Sequence, residues 1–113
     1  MKRIDATIQS NKIGTVSDAL TGIVGGFTIL EGNGRGSGAR QEIRSGRGTG
    51  TITAEYNKVA TISTIVDDAE VEKVSTAIAD AAFTGKGGDG IIVVTNVDSI
   101  LNIASKKSGS EAL

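Results

Sequence analysis

Residues 2–9 alternate between apolar and polar side chains, which is the period of a strand with one buried face. Ile4, Ala6 and Ile8 form the apolar set. Asn11 then stands where a helix N-cap would be, and the apolar residues after it recur three and four positions apart, which predicts a first helix. The apolar face of this helix comprises Ile13, Val16, Leu20 and Ile23.

Further along the chain, the pattern predicts two more strands and a second helix. Residues 27–30 are typical of a short strand after a glycine pair, and the many β-branched residues of 51–66 predict a long third strand. Asp67 or Asp68 is then expected to cap the second helix. The apolar face of that helix comprises Val71, Val74, Ile78 and Ala81.

The last segment completes the order βαββαβ, with a continuous apolar strand at 91–97 and a short helical turn at 99–103. This order predicts an α+β fold of the ferredoxin-like type over a single domain of residues 1–113, with both helices on one face of an antiparallel sheet. The other face would stay open. A small domain with only three aromatic residues gains stability by covering that face, so we expect an oligomer.

The segment between the second and third predicted strands has an unusual composition. From residue 32 to residue 50, seven of nineteen residues are glycine, and four arginines face a single acid, Glu42. Such a segment cannot bury itself, so we expect a long, flexible, solvated loop. Its guanidinium groups suit pairing with carboxylates or backbone carbonyls of a partner protein. The candidate docking residues are Arg40, Arg44 and Arg47.

Composition narrows the possible functions. The chain has no Cys and no His, which removes thiol nucleophiles, the usual zinc ligands and the commonest general base, so we do not expect an enzyme. The formal net charge of −1 predicts no general attraction to nucleic acid. No apolar run approaches the length of a membrane span and the start lacks an apolar signal core, so we expect a cytoplasmic protein without membrane insertion.

A glycine cluster at 84–90 is the strongest candidate for ligand chemistry, because successive glycines let backbone N–H groups converge on an anion. The competing interpretation is an ordinary turn. Gly85, Gly87 and Gly90 also match the spacing of a dinucleotide fingerprint. That fingerprint must follow a strand and open a helix, however, whereas this cluster follows a helix and opens a strand.

Several stretches of the chain resemble the PII nitrogen-regulatory family. Segment 84–90 (TGKGGDG) is similar to the nucleotide-binding B-loop of that family, and segment 32–35 (GNGR) resembles the base of its long T-loop. The further matching stretches are 1–20, 26–29, 66–74 and 110–113. The resemblance implies a homotrimer of ferredoxin-like subunits with ATP or ADP bound between neighbours.

The resemblance also implies roles for individual residues. Thr28 and the backbone at Ile65 would face adenine, and Gly34 and Arg35 would lie beside the nucleotide at the base of the loop. The residues implied at the phosphates are Gly88, Asp89 and Gly90, with Lys86 as a further cation. The implied partner of the loop is an ammonium channel, another membrane transporter or a regulated enzyme.

The chain departs from the family at positions that would contact the ligands. Ile91, Asn102 and Ala104 stand where the family has basic residues, and Gly36 stands where it has a glutamine. We therefore expect ATP to bind little more tightly than ADP, and 2-oxoglutarate to bind weakly or not at all. Binding of AMP and of Mg²⁺ remains an open alternative. Tyr56 has surroundings reminiscent of a modifiable tyrosine, but we expect it to pack within the third strand.

Two alternatives remain beside a nucleotide sensor that docks its loop on an ammonium channel. The first is a divergent sensor of AMP or ADP from the same family, serving a different transporter or enzyme. The second is RNA binding by the Arg-Gly pairs at 35–36 and 47–48. Residues 32–50 offer no aromatic side chain that could stack on bases, which disfavours RNA binding.

Overall fold

A four-stranded antiparallel sheet forms the centre of the protein, in the strand order β2-β5-β1-β6. The computed structural model describes residues 1–36, 42–44 and 51–113, and of residues 42–44, 51 and 52 it describes the backbone alone. The strands are β1 Lys2–Gln9, β2 Thr28–Gly34, β3 Glu42–Arg44, β4 Thr51–Thr53, β5 Asn57–Val66 and β6 Gly90–Asn96, and the helices are α1 Ile13–Leu20 and α2 Val71–Ala82. This topology confirms the predicted ferredoxin-like α+β fold.

The core lies between one face of the sheet and the two helices. Because side chains alternate along a strand, Ile4, Ala6 and Ile8 of β1 all point to this face, and each is at most 2% exposed. Their antiparallel partners on β5 include Ile62, which is also fully buried. The helices contribute Val16, Leu20, Val74, Ile78 and Ala82. The alternation in the sequence thus located the buried face of the sheet correctly.

The second and third strands differ from the prediction at the base of the long loop. β2 extends to Gly34, well beyond residue 30, because every residue from 28 to 34 has a partner on β5. The predicted strand 51–66 is divided, since β5 begins only at Asn57, where its partner β2 ends. Residues 51–53 instead pair with 42–44, inside the segment that we expected to lack regular structure. Tyr56 lies at the intervening bend and is 47% exposed, so the prediction that it packs within a strand is wrong.

None of the residues predicted to cap a helix makes a side-chain capping hydrogen bond. Asn11 lies within a short 3-10 turn, Ser10–Lys12, and caps no helix. Asp67 occupies the N-cap position of the 3-10 turn that leads into α2, as predicted, but its carboxylate accepts a hydrogen bond from Ser110 Oγ at 2.7 Å and makes no side-chain capping bond. Asp68 pairs with the amino group of Met1 at 2.9 Å, and this contact lowers the pKa of Asp68.

The segment after β6 folds into a turn and not into the predicted helix at 99–103. Leu101 forms an isolated antiparallel bridge with Ser108, and a 3-10 turn follows at Gly109–Ala112. Asn102 builds this arrangement, since its Oδ1 accepts hydrogen bonds from the backbone N–H groups of Ala104 and Ser105 at 3.0 and 3.1 Å, and its Nδ2 donates to Ala112 O at 3.1 Å. These local bonds replace the backbone pattern of a helix.

Candidate functional site

A cavity of about 590 Å³ lies at one end of the sheet, where β2, β5 and the C-terminal turn meet. We call it the Thr28 cavity. Thr28 and Ile65, the two residues implied at adenine, both line it. The antiparallel register explains their proximity, because Thr28 pairs with Ser63, two residues before Ile65. The remaining walls include Gly25, Gly26, Phe27, Asn102 and Leu113.

A buried hydrogen bond fixes the strand entry beside this cavity. Thr64, which is only 4% exposed, donates its hydroxyl hydrogen to the carbonyl oxygen of Gly26 at 2.7 Å. A buried hydroxyl without such a partner would destabilise the fold, so Thr64 and Gly26 are held together. The bond therefore holds the chain just before Thr28 against β5.

A cation that the sequence analysis missed also lines the Thr28 cavity. Arg3 lies on the open face of β1, and its Nε donates to Asp5 at 3.0 to 3.1 Å. Asp5 in turn accepts a hydrogen bond from Ser63 Oγ at 2.5 Å. This network orients the guanidinium and neutralises part of its charge. Position 3 belongs to the polar half of the alternating pattern, which was the only signal in the sequence that could have indicated it.

A second cavity, of about 400 Å³, lies at the opposite end of the sheet. We call it the Gly34 cavity. It brings together Gly34 and Arg35 from the base of the long loop with Gly88 and Gly90 from the glycine cluster, four of the residues implied at the nucleotide. Among the described residues that line it, Arg35 alone has a cationic side chain. Gly36 also borders the cavity, and a Cβ atom added there would meet nothing within 4 Å.

The glycine loop, residues 84–90, connects α2 to β6 beside this cavity. Gly88 and Gly90 have φ values of +96° and +118°, which L side chains rarely adopt. Gly90 is further constrained by its neighbours, because a Cβ atom there would lie 1.9 Å from Thr7 O on the adjacent strand. Both glycines are therefore required by the backbone itself, whether or not a ligand binds.

Asp89 is bound within the loop. Its carboxylate accepts hydrogen bonds from the backbone N–H groups of Thr84 at 2.7 Å and Gly85 at 3.0 Å, from the Thr84 hydroxyl, and from Gln9 Nε2 at 3.4 Å. We call this set of contacts the carboxylate clamp. The Thr84 side chain and backbone, and then Gly85 and the charge of Lys12, lower the pKa of Asp89. Gln9 and Thr84 were not predicted as functional residues.

The remaining predicted site residues are Lys86 and the candidate docking arginines. Lys86 is exposed on the glycine loop and lines neither cavity. Of the candidate docking residues, Arg44 belongs to β3, where the backbone alone is described, and Arg40 and Arg47 lie outside the described residues. In the part of the chain that the structure describes, no group of three or more acidic residues is placed to hold a metal ion. Nor does any described helix have the length and apolarity to cross a membrane.

The two cavities are separated by the length of a strand. Thr28 and Gly34 are the first and last residues of β2. Six steps of about 3.3 Å place their Cα atoms about 20 Å apart. One subunit therefore holds the residues implied at adenine and those implied at phosphate in two separate half-sites.

Comparison with known proteins identifies the family of the chain. A family model described as "Nitrogen regulatory protein P-II" matches residues 1–107. Proteins named "Nitrogen regulatory protein P-II" from Synechocystis sp. and Azospirillum brasilense are 35% and 33% identical, each over the whole of both chains. "Nitrogen regulatory protein GlnK2" from Haloferax mediterranei is 30% identical over the whole of this chain and 91% of its own. The chain therefore belongs to the P-II family of nitrogen regulatory proteins, which are signalling regulators and not enzymes.

Proposed function

We propose that this protein is a cytoplasmic, homotrimeric sensor of adenine nucleotides. ATP, ADP or AMP binds between neighbouring copies, with adenine in the Thr28 cavity of one copy and phosphate in the Gly34 cavity of the next. Occupancy controls the loop that leaves the sheet at Gly34 and returns at Asn57. That loop docks on an ammonium channel or on another nitrogen-related transporter or enzyme.

The observation that carries this proposal is that Thr28 and Ile65, implied at adenine, line one cavity, whereas Gly88 and Gly90, implied at phosphate, line another. The residues at each end of β2 converge on their own cavity, yet about 20 Å separates the two ends. Contact between different patches of identical copies is heterologous, and such contacts close into a ring when the rotation between copies permits. A ring of three copies would pair every Thr28 cavity with a Gly34 cavity.

The open face of the sheet supports an assembly for a separate reason. Leu30 on β2 is 68% exposed and Ile91 on β6 is 66% exposed, although both are large apolar side chains. β2 and β6 are also the two edge strands of the sheet. Apolar residues on unpaired edges favour association, so a neighbouring copy would cover them.

A subunit-mixing experiment tests the divided site. Thr28→Arg blocks the adenine half, and Arg35→Glu repels phosphate, so each homotrimer alone should lose ADP binding in calorimetry. A hybrid trimer that contains both variants should regain one intact cleft of three, because one neighbour pair combines two unaltered halves. If mixed subunits regain no binding while the wild-type protein binds ADP, each site lies within a single subunit and the proposal is wrong.

Calorimetry with AMP, ADP, ATP and 2-oxoglutarate, with and without Mg²⁺, then separates the two sensor types. Tight binding of 2-oxoglutarate in the presence of Mg-ATP would contradict the inference from Gly36, which offers no side chain to hold it. A preference for AMP or ADP would favour the divergent sensor that serves a different transporter or enzyme.

The docking role of the loop has its own test. The double variant Arg44→Ala and Arg47→Ala should lose retention on an immobilised ammonium channel while it keeps wild-type affinity for ADP. A double variant with Lys106→Ala and Lys107→Ala removes the same charge from exposed C-terminal positions and should still be retained. Normal retention of the arginine variant would contradict the docking role of these residues. If neither double variant is retained, the attraction to the channel depends on charge in general and not on the loop.

A further inference from the structure

Asp89 carries a negative charge on the very loop that is proposed to meet phosphate. Like charges at short range repel, so a carboxylate at this place weakens phosphate binding unless it serves another purpose. A carboxylate that coordinated Mg²⁺ would be one such purpose. The hydrogen bonds of Asp89 indicate a different one.

The acceptor capacity of this carboxylate is already filled. A carboxylate has about four lone-pair sites. Oδ2 of Asp89 accepts from the N–H groups of Thr84 and Gly85, and Oδ1 accepts from the Thr84 hydroxyl and Gln9 Nε2. Four donors therefore occupy four sites, which leaves none for a metal ion, and they disperse the negative charge towards the start of the loop.

The same contacts define which donors of the glycine loop stay available. The N–H groups of Thr84 and Gly85 point to Asp89, and that of Lys86 donates to Thr84 Oγ1 at 3.2 Å. Within the described residues, the N–H groups of Gly87 and Gly88 donate to no protein atom. Gly88 lines the Gly34 cavity beside Arg35. The first half of the loop is thus held from within, and its second half presents free donors.

We propose that Asp89 is a positioning residue, an inference that rests on the proposed function. Through the carboxylate clamp, Asp89 holds the glycine loop in the shape that presents the Gly87 and Gly88 N–H groups to phosphate. Asp89 itself touches neither phosphate nor metal. Gln9 links the clamp to the end of β1, whose neighbour across the sheet is Val59. The loop is therefore tied to the same end of the sheet as the Gly34 cavity.

The test compares ligands with and without phosphate. Asp89→Asn keeps the size of the side chain but replaces two acceptor sites by donors, so two clamp bonds are lost. We expect ADP to bind about tenfold or more weakly, equivalent to about 1.4 kcal/mol, and adenosine to bind with unchanged affinity. Asp18→Asn makes the same charge change at an exposed position of α1 and should leave both affinities unchanged.

Thr84 supplies a second pair of variants. Thr84→Ser keeps the hydroxyl donor and should retain wild-type ADP affinity, whereas Thr84→Val removes it and should weaken ADP binding without affecting adenosine. A general loss of structure would lower the affinities for both ligands, so the ADP-to-adenosine ratio distinguishes positioning from unfolding. Faster amide hydrogen exchange at Thr84 and Gly85 in Asp89→Asn reports the open clamp in the absence of any ligand.

The possible failures are distinguishable. If the wild-type protein binds ADP and Asp89→Asn binds it equally well, the clamp has no positioning role. Equal losses of adenosine and ADP would also overturn the proposal, because they would place the effect outside the phosphate half of the site. If the wild-type protein binds neither ligand, the proposed function itself fails, and the role of the loop fails with it.

Discussion

The glycine loop permits a graded test of what each of its glycines is required for. Gly87, Gly88 and Gly90 are replaced by alanine one at a time. Gly87 has no positive φ and open space around its Cα, Gly88 has a φ of +96° and open space, and Gly90 has a φ of +118° with Thr7 O at 1.9 Å from the added Cβ. The series therefore adds backbone strain first and a steric clash second.

The structure gives the expected order of free energies of unfolding. Gly87→Ala should be neutral or stabilise by up to about 1 kcal/mol, because alanine restricts the unfolded chain. Gly88→Ala should cost about 1–2 kcal/mol for a left-handed alanine. Gly90→Ala should cost about 4 kcal/mol, since similar strain is joined by a clash that pushes β6 away from β1. That is a large part of the total stability of a small domain.

Urea unfolding followed by circular dichroism measures the three differences. Protein concentration is held constant across the series, because association changes apparent stability. The reasoning depends on the separation between Gly88→Ala and Gly90→Ala. Equal stabilities of these two variants would show that β6 accommodates the Cβ without cost, and the close packing at Thr7 would then carry no energetic weight.

Three further predictions concern the two half-sites. Because the pKa of Asp89 is lowered, the carboxylate clamp is fully present above the ordinary Asp value of 3.8 and is lost as pH falls through the lowered pKa. The amide hydrogen of Thr84 should therefore be equally protected from exchange at pH 7 and pH 5, after correction for intrinsic rates. Loss of protection above pH 5 would contradict this. Thr64→Val should lower the free energy of unfolding by about 1–3 kcal/mol and weaken adenosine binding, because Gly26 O loses its buried donor. Thr76→Val, on the exposed side of α2, should change neither quantity. ATP should bind less than about a hundredfold more tightly than ADP, since Arg35 alone of the described residues adds a positive side chain to the Gly34 cavity, and a greater ratio in calorimetry would refute this.

The sequence predicted those parts of the fold that depend on one buried face. The period of two along β1 placed Ile4, Ala6 and Ile8 in the core, because a strand offers its side chains only two directions. The failed helix at 99–103 shows where this reasoning stops. Leu101 and Ile103 are apolar, yet they are 62% and 84% exposed. Hydrophobicity alone does not distinguish a residue that packs within its own chain from one that is free to pack against another.

Hydrogen bonds between distant positions were beyond the sequence pattern for a different reason. Asp67 had the residue type and position of a helix cap, but Ser110, which binds it, lies 43 positions away. Asn102 likewise drew attention because it stands where the family has a basic residue, whereas in the fold its side chain organises the turn up to Ala112. In both cases the sequence identified a polar residue of interest, and only the fold decided which partner it met.

The candidate site shows the same division between composition and geometry. The glycines at 84–90 indicated an anion-binding loop, but Gly90 is already required by its contact with Thr7, so its identity is not evidence for a ligand. The proposal of an anion site rests instead on backbone N–H groups of this loop that donate to no described residue. Asp89 accepts hydrogen bonds from the first N–H groups of the loop, whereas the N–H groups of Gly87 and Gly88 donate to no described residue, and Gly88 lines the Gly34 cavity with Arg35. In the proposed assembly, the Gly34 cavity would receive a complete nucleotide only where another copy supplies the Thr28 cavity, because the residues implied at adenine lie at the far end of β2. Nucleotide binding and subunit association would then stabilise each other.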